Sequence, residues 1–89
     1  MSKFIDIDGN LIKRKSITNV TNISSLYPMV FGSNYANFEF YLEYDNKSLR
    51  FYESFRIGWF SNKPKSVIEK DCAYNTLVEK RNDILLKIK

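Results

Sequence analysis

Aromatic and charged residues alternate from Phe38 to Phe55, in the run NFEFYLEYDNKSLRFYESF that starts at Asn37, and Asp45-Asn46-Lys47-Ser48 interrupts them once. A period of two is the signature of a half-buried strand, because successive side chains point to opposite faces. The pattern therefore predicts a β-hairpin. On its first arm Phe38, Phe40, Leu42 and Tyr44 share a face, and Glu39, Tyr41 and Glu43 share the other. On the second arm Leu49, Phe51 and Phe55 continue the apolar face with Glu53 as the exception, while Arg50, Tyr52, Ser54 and Arg56 line the wet one. A two-residue turn at Asn46-Lys47 and a four-residue loop over Asp45 to Ser48 predict the same register, with Glu43 opposite Arg50 and Tyr41 opposite Tyr52.

The apolar face of such a hairpin needs a cover, and the C-terminal stretch supplies one. Ser66-x-x-Glu69 is a capping box, in which hydroxyl and carboxylate each take an orphan backbone N–H, so a helix is expected over 66–88. At about 100° per residue, Val67, Tyr74, Leu77, Val78, Ile84, Leu85 and Ile88 gather on one stripe. Arg81 falls inside that stripe, where it either keeps its head in water or pairs with Glu53. Ile68, Cys72 and Leu86 lie on the other side as scattered exposed apolar residues, and Asp83 and Lys87 are spaced for a surface ion pair.

Ahead of the hairpin, Phe4 to Ile7 reads as a short strand and Asp8-Gly9-Asn10 as a turn. From Leu11 the chain carries Lys13-Arg14-Lys15 into Ile17, Val20, Ile23 and Leu26. Three-residue spacing suggests a helix, but the Thr, Asn and Ser residues between are poor helix formers. A long irregular strand with a bulge is expected instead, reaching Tyr27 and bent at Pro28, weakly extended by Met29-Val30-Phe31 and turned by Gly32-Ser33-Asn34. After the hairpin, Ile57 to Phe60 is apolar, with Trp59 finishing the core or standing at the surface, and residues 61–65 form a basic loop. The expected fold is α+β: an antiparallel β-meander of about four to five strands, packed on one face by a C-terminal α-helix. All 89 residues form a single domain, with sheet over 1–60, loop over 61–65 and helix over 66–88.

The opening Phe4-Ile5-Asp6-Ile7-Asp8-Gly9-Asn10-Leu11-Ile12 resembles the first motif of the haloacid dehalogenase superfamily, an apolar strand ending in Asp-x-Asp-Gly-Thr-Leu. That resemblance implies Asp6 as phosphoryl nucleophile beside magnesium and Asp8 as acid/base. The pattern departs in that Asn10 replaces Thr and the basic Lys13-Arg14-Lys15 follows where the family has a helix. The chain is also too short for the parallel sheet that supplies the remaining catalytic groups. A hairpin turn that uses Asp-Gly for its backbone angles is the reading adopted.

Chemistry is bounded by what the chain lacks. There is no histidine and one cysteine, Cys72, so triads, zinc patterns and an internal disulfide have no parts. Three isolated glycines, at positions 9, 32 and 58, make no phosphate-cradling loop. No enzymatic activity, cofactor or metal is expected, and no secretion signal or apolar span is recognisable, so cytoplasm is the expected compartment.

A net charge of +4 favours polyanionic partners. The expected function is that of a small non-enzymatic binding protein of bacterial or phage origin, which contacts a larger protein or ribonucleoprotein. An anti-CRISPR-like inhibitor of a defence nuclease is an example. One alternative is an RNA- or single-stranded nucleic-acid-binding module. Tyr41, Arg50, Tyr52 and Arg56 would then take bases, with Lys13, Arg14, Lys15, Lys63 and Lys65 as a basic rim and Trp59 as a further stacking candidate. A structural or assembly subunit is the other alternative, and homodimerisation is left open.

Overall fold

The computed structural model describes residues 3–27, 34–58 and 63–89. In chain order they form β1 (Phe4–Ile7), β2 (Asn10–Lys13), a 3-10 turn (Arg14–Ser16), β3 (Ile17–Val20), β4 (Ser24–Leu26), β5 (Tyr35–Tyr44), β6 (Lys47–Arg56) and α1 (Val67–Ile88). This is the expected α+β architecture with antiparallel strands and a C-terminal helix. The six strands divide into two sheets: β1 pairs with β2 alone, while β5 carries β6 on one edge and β3 and β4 in succession along the other. The expectations for Pro28, for Met29 to Ser33 and for Trp59 to Asn62 fall outside the described residues.

The long hairpin forms with its two faces as expected but with a register two residues away. Tyr44 pairs with Lys47, so Tyr41 stands opposite Arg50, Glu39 opposite Tyr52 and Glu43 opposite Ser48. The loop is Asp45-Asn46, both at positive φ (48° and 60°). A tight turn that matches strand twist needs left-handed backbone at both central positions, which Asp and Asn tolerate and Lys does not. The turn therefore sits one residue earlier than Asn46-Lys47. Because the shift is even, every side chain keeps its face. The first hairpin closes in the same way: Ile7 pairs with Asn10 across Asp8 (φ 51°) and Gly9 (φ 82°).

Residues 11–27 are not one strand. The 3-10 turn at Arg14–Ser16 separates β2 from β3 and lets them join different sheets. Beyond it, the bulged strand is present as β3 and β4. Ile17 pairs with Tyr44, Val20 with Leu42 and Ser24 with Glu39, so the register slips by one residue before Asn19 and by another between Val20 and Ser24. Each slip inserts one residue into a period of two. Ile17, Val20 and Ile23, three apart, thus all pack against the core. Leu26, opposite Asn37, lies on the other face and is exposed.

The helix spans 22 residues, about 33 Å at 1.5 Å per residue, and so matches the roughly 34 Å of ten-residue β5. Its N-terminus lies by the end of β6, where Arg56 meets Glu69. Its C-terminal half meets the first hairpin: Lys80 pairs with Asp8, and Lys87 Nζ donates to Asp6 O at 3.2 Å. Ser66 caps as expected, its Oγ accepting from Glu69 N–H at 3.2 Å, but the Glu69 carboxylate goes to Arg56 rather than completing the box. Ala73, Leu77 and Ile84 are the buried helix residues. Val67, expected on the buried stripe, is exposed because it is the first helical residue and lies beyond the core.

The core joins Phe38, Phe40, Leu42, Phe51 and Phe55 of the long hairpin, Ile5, Ile7 and Ile12 of the short one, and the three helix residues. Its rings are close: Phe40 stacks on Phe51 at 4.9 Å, and Phe38 lies 5.0 Å from Phe55 and 5.2 Å from Tyr74. Pairs in this range contribute about 0.5–1.5 kcal/mol beyond area burial. Arg81 does not reach Glu53. It turns to the β3–β4 edge, donating from Nε to Thr21 O at 2.8 Å, whereas Glu53 opens with Lys80 onto a groove on the β6 side. The helix is rotated so that these neighbours straddle the sheet.

Candidate contact surface

Helix and short hairpin share one face of the four-stranded sheet, and no other described element covers the opposite face. The alternation in β5 and β6 fills it with Tyr35, Asn37, Glu39, Tyr41 and Glu43 against Ser48, Arg50, Tyr52, Ser54 and Arg56. Its centre is a diagonal ion pair. Glu39 is 6% exposed despite lying on the open face, and Arg50 Nε donates to its Oε2 at 2.5 Å. The Tyr41 hydroxyl lies 3.4 Å from both Glu39 oxygens, and the Arg50 guanidinium sits 4.5 Å over the Tyr52 ring. Among the described residues, Arg50 and Tyr41 are the side chains that hold the Glu39 carboxylate. The hydrogen bond to Glu39 raises the Arg50 pKa above its ordinary value, a change opposed by desolvation and assisted by the nearby carboxylate charge. With a raised pKa the arginine side of the tie is intact below the ordinary arginine range and is lost only above it. It is therefore no switch near neutrality.

Polar pairs extend outward from this centre. Ser54 Oγ donates to Asn37 Oδ1 at 2.6 Å, and Asn19 Nδ2 to Glu43 Oε1 at 3.0 Å. Tyr52 and Tyr35, 55% and 56% exposed, present the largest aromatic area there.

The expected contact residues divide into three groups. Tyr41, Arg50 and Tyr52 stand together. Arg56, on the same face by alternation, is drawn from it by Glu69, which it meets at 3.1 and 3.2 Å from the end of the strand. The basic residues do not form a rim. Lys13 and Lys15 lie by the turn of the long hairpin, where they line a groove with Tyr44, Asp45 and Lys47, and Arg14 lies between them in the 3-10 turn. Lys63 and Lys65 lie at the opposite end, bonded through their backbones to Gly58 and Arg56. The rim fails because β2 leaves the main sheet at the 3-10 turn. Trp59 lies outside the described residues.

Sequence reasoning passed over Tyr35 and Lys47. Tyr35 continues the outward alternation one step before Asn37, a signal present in the pattern; Lys47 was assigned to the turn. Asp6 and Asp8 serve the first turn: Asp6 Oδ1 accepts from Gly9 N–H at 3.0 Å, and Asp8 pairs with Lys80. Among the described residues no helix is long and apolar enough to cross a membrane, and no His, Cys, Asp and Glu cluster of three or more is placed to hold a metal. No protein-family model, curated protein or solved structure matches the chain.

Proposed function

We propose that this is a non-enzymatic binding protein whose sheet face opposite the helix contacts a larger protein, free or within a ribonucleoprotein. The carrying observation is the Glu39–Arg50–Tyr52 constellation, which holds an arginine and an exposed tyrosine in one geometry before any partner arrives. Tyrosine and arginine are the residue types that concentrate binding energy at protein interfaces, and ordering them in advance lowers the entropy lost on association. Charge favours protein over nucleic acid here. Arg50 is neutralised by Glu39, Arg56 is taken by Glu69, and Glu43 remains on the face. Inhibition of a defence nuclease is the narrower form of this proposal; it rests on the small size and basic charge of the chain rather than on a motif.

The test is site-specific photocrosslinking in the native host. A photoreactive residue at Tyr52 or Ser54 is expected to capture a defined protein, and one at Ile68, on the helix's solvent side, is not. Adducts formed only from Ile68, or none from the sheet, would refute the proposed face. Where the captured protein belongs to a defence nuclease, adding the purified chain should slow target cleavage.

A further inference from the structure

The groove between the two hairpin tips points to a second, independent site, and we infer that it binds a short stretch of single-stranded nucleic acid. It is an open groove of about 750 Å³, with Lys13, Lys15 and Lys47 on its walls, and Phe4, Leu11 and Tyr44 giving it apolar surface. Leu11 is 71% exposed and Phe4 45% exposed, so that surface faces solvent.

Three observations converge on an anionic, partly planar ligand. First, the ion pairs among the described residues lie elsewhere: Arg50 with Glu39, Arg56 with Glu69, Lys80 with Asp8 and Lys87 with Asp83. Lys13, Lys15 and Lys47 have no carboxylate partner among the described residues, and Asp45 is the one acid lining the groove. The +4 excess of the chain thus has a local concentration here that the sheet face lacks. Second, unpaired lysines around a concavity reinforce one another's potential, because the low-dielectric walls focus it. Third, the exposed apolar side chains give bases something to pack on, which a duplex, with its base faces hidden, cannot use. Lysines hold phosphates as point charges, so binding should be tolerant of sequence.

Fluorescence anisotropy with a labelled oligouridine at low salt tests the inference on the full chain. The wild type is expected to bind with affinity that falls as salt rises. Three phosphate contacts on a single strand give a log–log slope of about −2. Changing Lys13, Lys15 and Lys47 together to Ala should cost tenfold or more and bring the slope toward zero, with an unchanged melting curve because all three are exposed. Leu11→Ser should weaken binding without altering the slope. Changing Lys63 and Lys65 to Ala at the far end should leave binding intact. The inference is overturned if the wild type shows no salt-dependent binding, or if the far-end variant loses as much as the triple variant. Equal affinity for a duplex of the same length would overturn the single-strand assignment.

Discussion

Thr21 and Tyr41 exchange two hydrogen bonds, one ending on a backbone carbonyl and the other on a side-chain hydroxyl. Thr21 N–H donates to Tyr41 O at 2.9 Å, and Tyr41 N–H donates to Thr21 Oγ1 at 2.8 Å. A side-chain oxygen stands where the edge strand, slipping register between β3 and β4, offers no carbonyl. Arg81 then takes Thr21 O at 2.8 Å and Asn22 Oδ1 at 3.4 Å, fastening the slip to the helix. The hydroxyl satisfies a central-strand amide that would otherwise be left without a partner.

Thr21→Val keeps the shape and removes the acceptor, so it should cost about 1–3 kcal/mol, the penalty for stranding a buried donor. Thr21→Ser retains the oxygen and should recover most of that loss. Urea denaturation gives the energies, and amide exchange at Tyr41 gives the site. Exchange at Tyr41 that is unchanged in the valine variant would show that the hydroxyl is dispensable.

The helix face can be tested by changes at three positions. Ala73 is buried where the helix crosses the sheet, and Val67 is exposed. Ala73→Leu should overpack the contact and cost about 1–3 kcal/mol. Val67→Ser should stay within about 0.5 kcal/mol of the wild type, as exposed substitutions usually do. Ile84→Ala, at a site 1% exposed, should cost about 2–5 kcal/mol. Thermal or urea unfolding of the three variants checks the order.

Much of this architecture was legible because patterning acts locally. The faces of β5 and β6 follow from a period of two, and the helix start from Ser66 and Glu69. What escaped was set by backbone angles and by packing between distant segments. The hairpin register depended on which residues accept positive φ, and Asp45-Asn46 outcompetes Asn46-Lys47 on that ground alone. The three-residue spacing of Ile17, Val20 and Ile23 fits a bulged strand over β3 and β4, but the single strand expected from Leu11 is broken by the 3-10 turn that sends β2 into a separate sheet, and that turn has no strong local signal. That turn also decides the candidate sites. It moves Lys13 and Lys15 away from Tyr52 and gathers them with Lys47. The helix rotation that gives Arg81 to Thr21 and Glu69 to Arg56 is a tertiary fact, invisible to charge spacing.

The turn assignment carries its own prediction. Asn46 lies at φ 60°, where a β-carbon is costly unless the side chain is Asn or Asp. Asn46→Ala should destabilise by about 1–2 kcal/mol, on the scale of the left-handed backbone penalty. Asn46→Gly should not, since Asp-Gly is a preferred pair for this turn. Lys47→Gly, at a position with ordinary strand geometry, should destabilise. Unfolding midpoints that favour glycine at 47 over glycine at 46 would return the turn to the later position.

The Glu39–Arg50 tie predicts an asymmetry between its two halves. Glu39 is almost wholly buried while Arg50 keeps 42% of its side chain accessible, so the partners differ in what they leave behind. Removing the arginine strands a carboxylate among Tyr41, Tyr52 and the strand backbone, out of reach of full hydration. Removing the carboxylate's charge leaves a guanidinium that water can still solvate. Breaking an enclosed pair is costliest for the group that cannot return to solvent. Arg50→Met should therefore lower the unfolding midpoint more than Glu39→Gln, and the double variant should be more stable than Arg50→Met alone. Chemical denaturation of the four proteins as a double-mutant cycle measures the coupling. The same cycle bears on function, because Tyr52 is held by Arg50. Glu39→Gln should loosen that hold and weaken partner capture at Tyr52 while the fold remains intact, whereas capture that tracks only overall stability would mean that the constellation supports the sheet and nothing more.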